Sequence, residues 1–155
     1  NLRENIFPSR TRADLVLLLG DPSARAAAPG RWPALAGAAR IEGALEPLET
    51  GMDWRGLRAF AFAGIGRPEK FFATLRGLGA DVVEARGFGD HAPYHPRLLA
   101  RLAHDARAAG AQLVTTEKDA ARLPPAFRAQ VLTLPVRLRL EDPALLEAAL
   151  VRLGL

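Results

Sequence analysis

Three polar blocks hold the residues whose types and spacing could do chemistry: Gly64-Ile65-Gly66-Arg67, Phe88-Gly89-Asp90-His91 and Thr116-Glu117-Lys118-Asp119. Two glycines one residue apart, after an apolar run and before a helix-like one, let the backbone approach an anion and turn free N–H groups toward it. The same pair also suits a tight strand-to-helix turn that binds nothing and needs glycine dihedrals. As a phosphate cradle the pattern is incomplete. A dinucleotide fingerprint needs a third glycine where Glu69 stands, and the Gly-Lys-Ser/Thr ending of a P-loop occurs nowhere in the 155 residues.

Asp90-His91 sets an imidazole beside a carboxylate, a pair that can accept a proton or orient another group. The plainer reading is a solvated loop histidine. His95 stands at the entry to a helix and His104 shares a polar helix side with Arg97 and Arg101, so both read as structural or solvated. Thr116-x-x-Asp119 is a capping pattern, the hydroxyl taking a free N–H and the acid sitting at the positive helix end. Capping leaves Lys118 unexplained, because a helix start disfavours a cation unless an anion is near. Arg67, Lys70, Arg86, Arg97 and Arg101 add positive charge around the same blocks and read mainly as a solvated face. The aromatics that single-stranded nucleic-acid binders interleave for stacking are lacking.

Elements must bring these blocks together, and the hydrophobic pattern supplies them. The run over residues 13–19 reads as a buried strand, residues 23–39 as irregular, and residues 40–49 as an exposed or edge strand that tolerates Pro47. Polar residues with two glycines between Glu49 and Gly56 mark a boundary or hinge. Residues 1–56 then form a connecting segment and 57–155 a C-terminal α/β domain. From Arg58 strands and helices alternate: strand 58–63, a helix opened by Pro68, a strand from Val82, a helix opened by Pro96, a strand 112–115, a helical turn at 117–123, a long strand 131–140 broken by Pro135, and a helix opened by Pro143. Phe71, Leu75, Leu99 and Leu102 fall on the apolar helix faces. The fold class is α/β, a mainly parallel sheet with helices on both faces plus an edge or hinge strand pair. Loops that follow strands gather at one sheet edge in such folds, which is where the three blocks fall.

Bulk properties narrow the function. There is no cysteine, so disulfides and thiolate metal sites are excluded, and three histidines alone make a structural zinc site unexpected. The longest apolar run is far shorter than the roughly 20 residues of a membrane-spanning helix, so this portion reads as soluble. A net charge of +4 favours acidic partners, although arginine is spread along the whole chain by its Ala/Arg/Gly/Pro-rich composition. Beginning at Asn1, the chain reads as a piece of a longer protein.

In their order and spacing the blocks resemble the C-terminal half of the tetraacyldisaccharide 4'-kinase family of lipid A biosynthesis. The resemblance rests on Ala61-Phe62-Ala63-Gly64-Ile65-Gly66 with Pro68 and Phe71-Phe72, on Phe88-Gly89-Asp90-His91 with Tyr94, and on Thr116-Glu117-Lys118-Asp119-Ala120. Leu2-Arg3-Glu4 and Arg12-Ala13-Asp14 extend it toward the start. It implies a P-loop kinase using ATP and Mg2+ to phosphorylate the 4'-hydroxyl of a tetraacyldisaccharide 1-phosphate at the cytoplasmic face of the bacterial inner membrane. It further implies that His91, with Asp90 as possible support, assists a catalytic aspartate in an N-terminal nucleotide-binding domain. Gly64, Gly66, Arg67 and Lys118 would lie near substrate or phosphates. The P-loop, metal-binding carboxylates, aspartate and membrane-associating segment of that family would precede Asn1. The chain alone is thus expected to be inactive and to hold neither ATP nor a metal, with no nucleic-acid partner. The alternative is a stand-alone α/β module in which Gly64, Gly66 and Lys118 bind a phosphorylated small molecule without chemistry; weaker still is arginine-driven nucleic-acid binding with steep salt dependence.

Overall fold

The computed structural model describes residues 15–33, 37–90 and 92–154. Leu2-Arg3-Glu4, Arg12-Ala13-Asp14 and His91 lie outside the described residues. In chain order the elements are β1 (Leu15–Leu19), α1 (Pro22–Arg31), β2 (Ala39–Pro47), β3 (Arg58–Ala63), α2 (Pro68–Gly77), β4 (Asp81–Gly87), α3 (Pro96–Ala108), β5 (Gln112–Thr116), α4 (Glu117–Ala120), α5 (Pro125–Arg128), β6 (Val131–Leu134), β7 (Val136–Leu140) and α6 (Pro143–Arg152). They group into two units, Pro47–Val136 and the described residues up to Glu46 together with those from Arg137 on.

In the Pro47–Val136 unit the strands lie in the order β4-β3-β5-β6, all parallel. The alternation of β3 explains how both of its faces are covered. Successive side chains point to opposite faces, so Ala59, Ala61 and Ala63 meet Trp54, Phe71, Phe72 and Leu75 on one side. Phe60 and Phe62 meet Leu99, Leu102 and Ala106 on the other. Small strand residues thus receive the large aromatics of α2, and the large strand residues receive the leucines and alanine of α3. Burial of Phe71, Phe72, Leu75, Leu99 and Leu102 accords with the helix faces read from sequence. Each such side chain contributes about 1.5–3 kcal/mol.

Because α2 carries the chain from β3 to one side and α3 returns it across the opposite face to β5, the connections diverge between β3 and β5. That gap, at the carboxyl ends of the strands, is where open α/β sheets place their sites. The ladder pairs Ala59 with Gln112, Phe60 with Leu113 and Ala61 with Val114. One step further the Thr115 hydroxyl donates to the Phe62 carbonyl at 2.7 Å, so this buried acceptor is satisfied as the strands part.

The other unit has the strand order β1-β2-β7, with β1 and β2 parallel. Here the structure departs from the expectations. Residues 40–49 do not form an edge: β2 lies between β1 and β7, and Pro47 is its last residue, where a missing N–H is tolerated. Part of the supposedly irregular segment is α1. Its start is fixed by the Asp21 carboxylate, which accepts from Ala24 N at 2.9 Å, and by Pro22 in the first turn. Arg25, only 10% exposed, ties the helix to Glu42 at 3.1 Å and Glu141 at 2.6 Å. The long strand expected over 131–140 is two strands, β6 and β7, in different sheets, because Pro135 between them cannot donate to a ladder. Among the described residues no helix is long and apolar enough to cross a membrane.

Candidate functional site

At the gap between β3 and β5, the turn after β3, the loop after β4 and the short helix after β5 meet on one carboxylate. Asp119 is fully buried. Its Oδ2 accepts from Gly64 N at 2.9 Å and from the Thr116 hydroxyl at 2.8 Å, while Oδ1 accepts from Arg122 Nη1 at 3.1 Å. A buried carboxylate is costly unless paired and hydrogen-bonded, and both conditions are met. Thr116 is the cap that its pattern suggested, accepting from Asp119 N at 3.2 Å. Asp119 does more than cap, since it reaches across to another strand.

Gly64 is needed for space. A Cβ there would lie 3.1 Å from the Tyr94 hydroxyl oxygen and 3.2 Å from Asp119 Oδ1. Its φ is outside the left-handed region, which corrects the expectation of special glycine dihedrals. The Gly64 N–H, the first donor of the presumed cradle, points inward to Asp119. Gly66 is exposed with open space around it, and Arg67 is an exposed residue at the N-cap of α2 whose side chain makes no cap bond.

Tyr94 fills the centre. Its ring meets Phe62 and Phe88 edge-on, at centroid distances of 5.8 and 5.9 Å, and the Arg122 guanidinium lies over it at 5.2 Å. Its hydroxyl oxygen is buried beside Gly64 and Asp119 without a hydrogen bond of regular geometry. Burial, and next the negative charge of Asp119, push the phenol above its ordinary range against the opposing pull of Arg122.

Arg122 was missed by the sequence reading and touches the first and third blocks and the loop that follows the second. Besides Asp119, it donates to the Ala92 carbonyl and, at 3.5 Å, to the Gly64 carbonyl. Its only sequence signal is the i,i+3 spacing from Asp119, an acid–base pair on one helical turn. Lys118 has an anion beside it: Nζ lies 3.1 Å from Asp90 Oδ1, both side chains being about half exposed. Asp90 thus faces Lys118, while His91 lies outside the described residues. Arg86 is engaged elsewhere, 2.8 Å from Asp105 and over the Phe60 ring at 5.1 Å. Arg101 is 3.7 Å from Asp105, and His95 and His104 are exposed.

No group of three His, Cys, Asp or Glu among the described residues is placed to hold a metal, and the amide at Gly64 is already taken. What the arrangement does is fix three loops rigidly against one another at a sheet edge.

The family model described as tetraacyldisaccharide-1-P 4'-kinase matches residues 1–154. A tetraacyldisaccharide 4'-kinase of Dinoroseobacter shibae is 53% identical over 150 residues, covering 96% of this chain and 44% of the relative. Proteins of the same name from Jannaschia sp. and Rhodospirillum rubrum are 48% and 43% identical, over 96% and 98% of this chain and 45% and 46% of their own length. The chain spans about half the length of the curated relatives it matches. No solved structure matches it.

Proposed function

The chain belongs to the tetraacyldisaccharide-1-P 4'-kinase family, and from this premise we propose that it is the C-terminal part of a lipid kinase. The full-length protein transfers the γ-phosphate of ATP to the 4'-hydroxyl of a tetraacyldisaccharide 1-phosphate, a step of lipid A biosynthesis at the cytoplasmic face of the inner membrane. The observation that carries this reading is the meeting of Gly64, Thr116 and Arg122 on Asp119, with Tyr94 of the loop after β4 beside it, at the sheet edge where α/β folds place ligands. His91, next to Asp90, assists proton removal from the sugar hydroxyl in concert with a carboxylate of the remaining half. Gly66, Arg67 and Lys118 face the lipid or nucleotide phosphates. ATP and Mg2+ are held by the nucleotide-binding half, where the metal neutralises charge on the transferring phosphoryl group.

The unit formed by residues up to Glu46 and from Arg137 supports a missing partner domain. Leu15, Leu17, Ile41, Leu140, Leu146 and Leu150 line a cavity of about 600 Å³, and Leu19, Leu45 and Leu138 are 50%, 63% and 44% exposed. An apolar surface of this kind suits coverage by the other half of the full-length kinase. The stand-alone anion module is less well supported, because its first donor, Gly64 N–H, is already bonded to Asp119.

The test is transfer of labelled γ-phosphate from Mg·ATP to tetraacyldisaccharide 1-phosphate by the purified full-length protein. A lipid phosphorylated at the 4'-position is expected, and a folded protein that leaves the lipid unmodified would overturn the reading. The 155-residue chain alone should neither bind nor hydrolyse ATP. Micromolar, magnesium-dependent ATP binding to it by calorimetry would contradict the assignment of nucleotide to the other half.

A further inference from the structure

We infer that Arg122 is a positioning residue, which with Lys118 clamps the chain on both sides of position 91; its catalytic consequence rests on the kinase reading above. On one side, Asp90 Oδ1 lies 3.1 Å from Lys118 Nζ. On the other, Ala92 is held through both backbone groups: its N–H donates to the Gly89 carbonyl at 2.9 Å, and its carbonyl accepts from Arg122 Nη2. Both clamping side chains come from the short stretch that follows β5.

The two sides differ in strength. Lys118 and Asp90 have side chains 47% and 49% exposed, so their attraction is screened by water and salt. Arg122 is 26% exposed and its anchor Asp119 is fully buried, which strengthens a charge-assisted contact and fixes the guanidinium before it reaches Ala92. The planar fork matters as much as the charge. One Nη serves Asp119 while the other serves Ala92, a division that a lysine ammonium on a flexible stem does not reproduce. Arg122→Lys therefore keeps the charge beside Asp119 and loses the link to Ala92.

The experiment uses the full-length protein with Arg122→Lys, Arg122→Met and Lys118→Met, reading amide hydrogen exchange over residues 88–93, thermal stability, kcat and KM. Arg122→Lys should melt near wild type, exchange roughly tenfold faster over 88–93, and lose about 10- to 100-fold in kcat with KM for ATP changed by less than about twofold. Arg122→Met should show the same pattern more strongly, with lower stability. Lys118→Met should change exchange over 88–93 by less than about threefold, as fits a screened pair. Wild-type exchange over 88–93 in both Arg122 variants would overturn the clamp, and faster exchange with full kcat would overturn its positioning role. If Arg122→Met fails to fold, Arg122→Lys decides alone. A wild-type protein that protects 88–93 yet phosphorylates no lipid would overturn the kinase reading and leave the clamp standing on the exchange data, so the two failures are distinct.

Discussion

The Gly64 amide donates to the Asp119 carboxylate across 2.9 Å, joining the turn after β3 to the helical turn after β5 although 55 positions separate them in sequence. This bond turns an apparent ligand cradle into an internal joint. Removing the acceptor should be severe. Asp119→Ala leaves Gly64 N–H unpaired and Arg122 without its carboxylate, so chemical denaturation should show a loss of about 3–5 kcal/mol. Unchanged stability would mean that the buried carboxylate carries no net attraction.

Space at Gly64 gives a second prediction. Gly64→Ala sets a methyl 3.1 Å from the Tyr94 hydroxyl and should cost about 1–3 kcal/mol. Gly66→Ala, with open space around it, should stay within about 0.5 kcal/mol. Tyr94→Phe removes the crowded oxygen, so the double variant Gly64→Ala/Tyr94→Phe should recover part of the loss. A double-mutant cycle with no coupling would place the strain elsewhere.

Tyr94 is the sole tyrosine of the chain, so tyrosinate absorbance reports on it alone. Its folded pKa is raised by burial and then by Asp119, whereas an unfolded chain's tyrosine ionises near about 10. The resulting stability is complete below about pH 10 and is lost as pH rises toward the folded value. Absorbance should therefore lag behind that of a free phenol until the protein unfolds, and Tyr94→Phe should soften the alkaline fall in stability. Titration at the ordinary phenol value in the folded protein would contradict the burial.

On the Ala face of β3, both Phe71 and Phe72 are 7% exposed. Either change to Ala should cost about 3–5 kcal/mol. His104→Ala, on an exposed helix position, should leave the melting temperature nearly unchanged. Calorimetric scans of the three variants check the contrast.

For the reaction itself, His91→Ala in the full-length protein should lower kcat by roughly 10²–10⁴-fold while the fold survives. His104→Ala should turn over normally. A stable and fully active His91→Ala enzyme would remove His91 from the mechanism, and a variant that loses stability but not turnover would make it structural.

Local features were legible in the amino-acid sequence because their causes are local. Alternating Ala and Phe specify a strand buried on both faces, Pro68 and Pro96 preset the first turn of their helices, and Thr116 with Asp119 announces a cap. The three blocks and their shared sheet edge followed from that βα order. The helix at Pro22–Arg31 was hidden because its Ala/Pro/Gly composition suits a loop equally well, and its capping by Asp21 and anchoring by Arg25 tip the balance.

What the tertiary structure alone decided are the pairings between residues far apart in the chain. That β7 lies beside β2, that Pro135 divides two strands between two sheets, and that Arg122 grips Asp119, Ala92 and Gly64 together all depend on groups brought close only by folding. Local periodicity records which face of an element is apolar; it carries no record of which distant carbonyl or carboxylate that element will meet. The sequence by itself therefore determined the elements and the edge where they converge. Only the folded chain decided that Gly64 is required by the crowding of Tyr94 and Asp119, and that its amide faces inward.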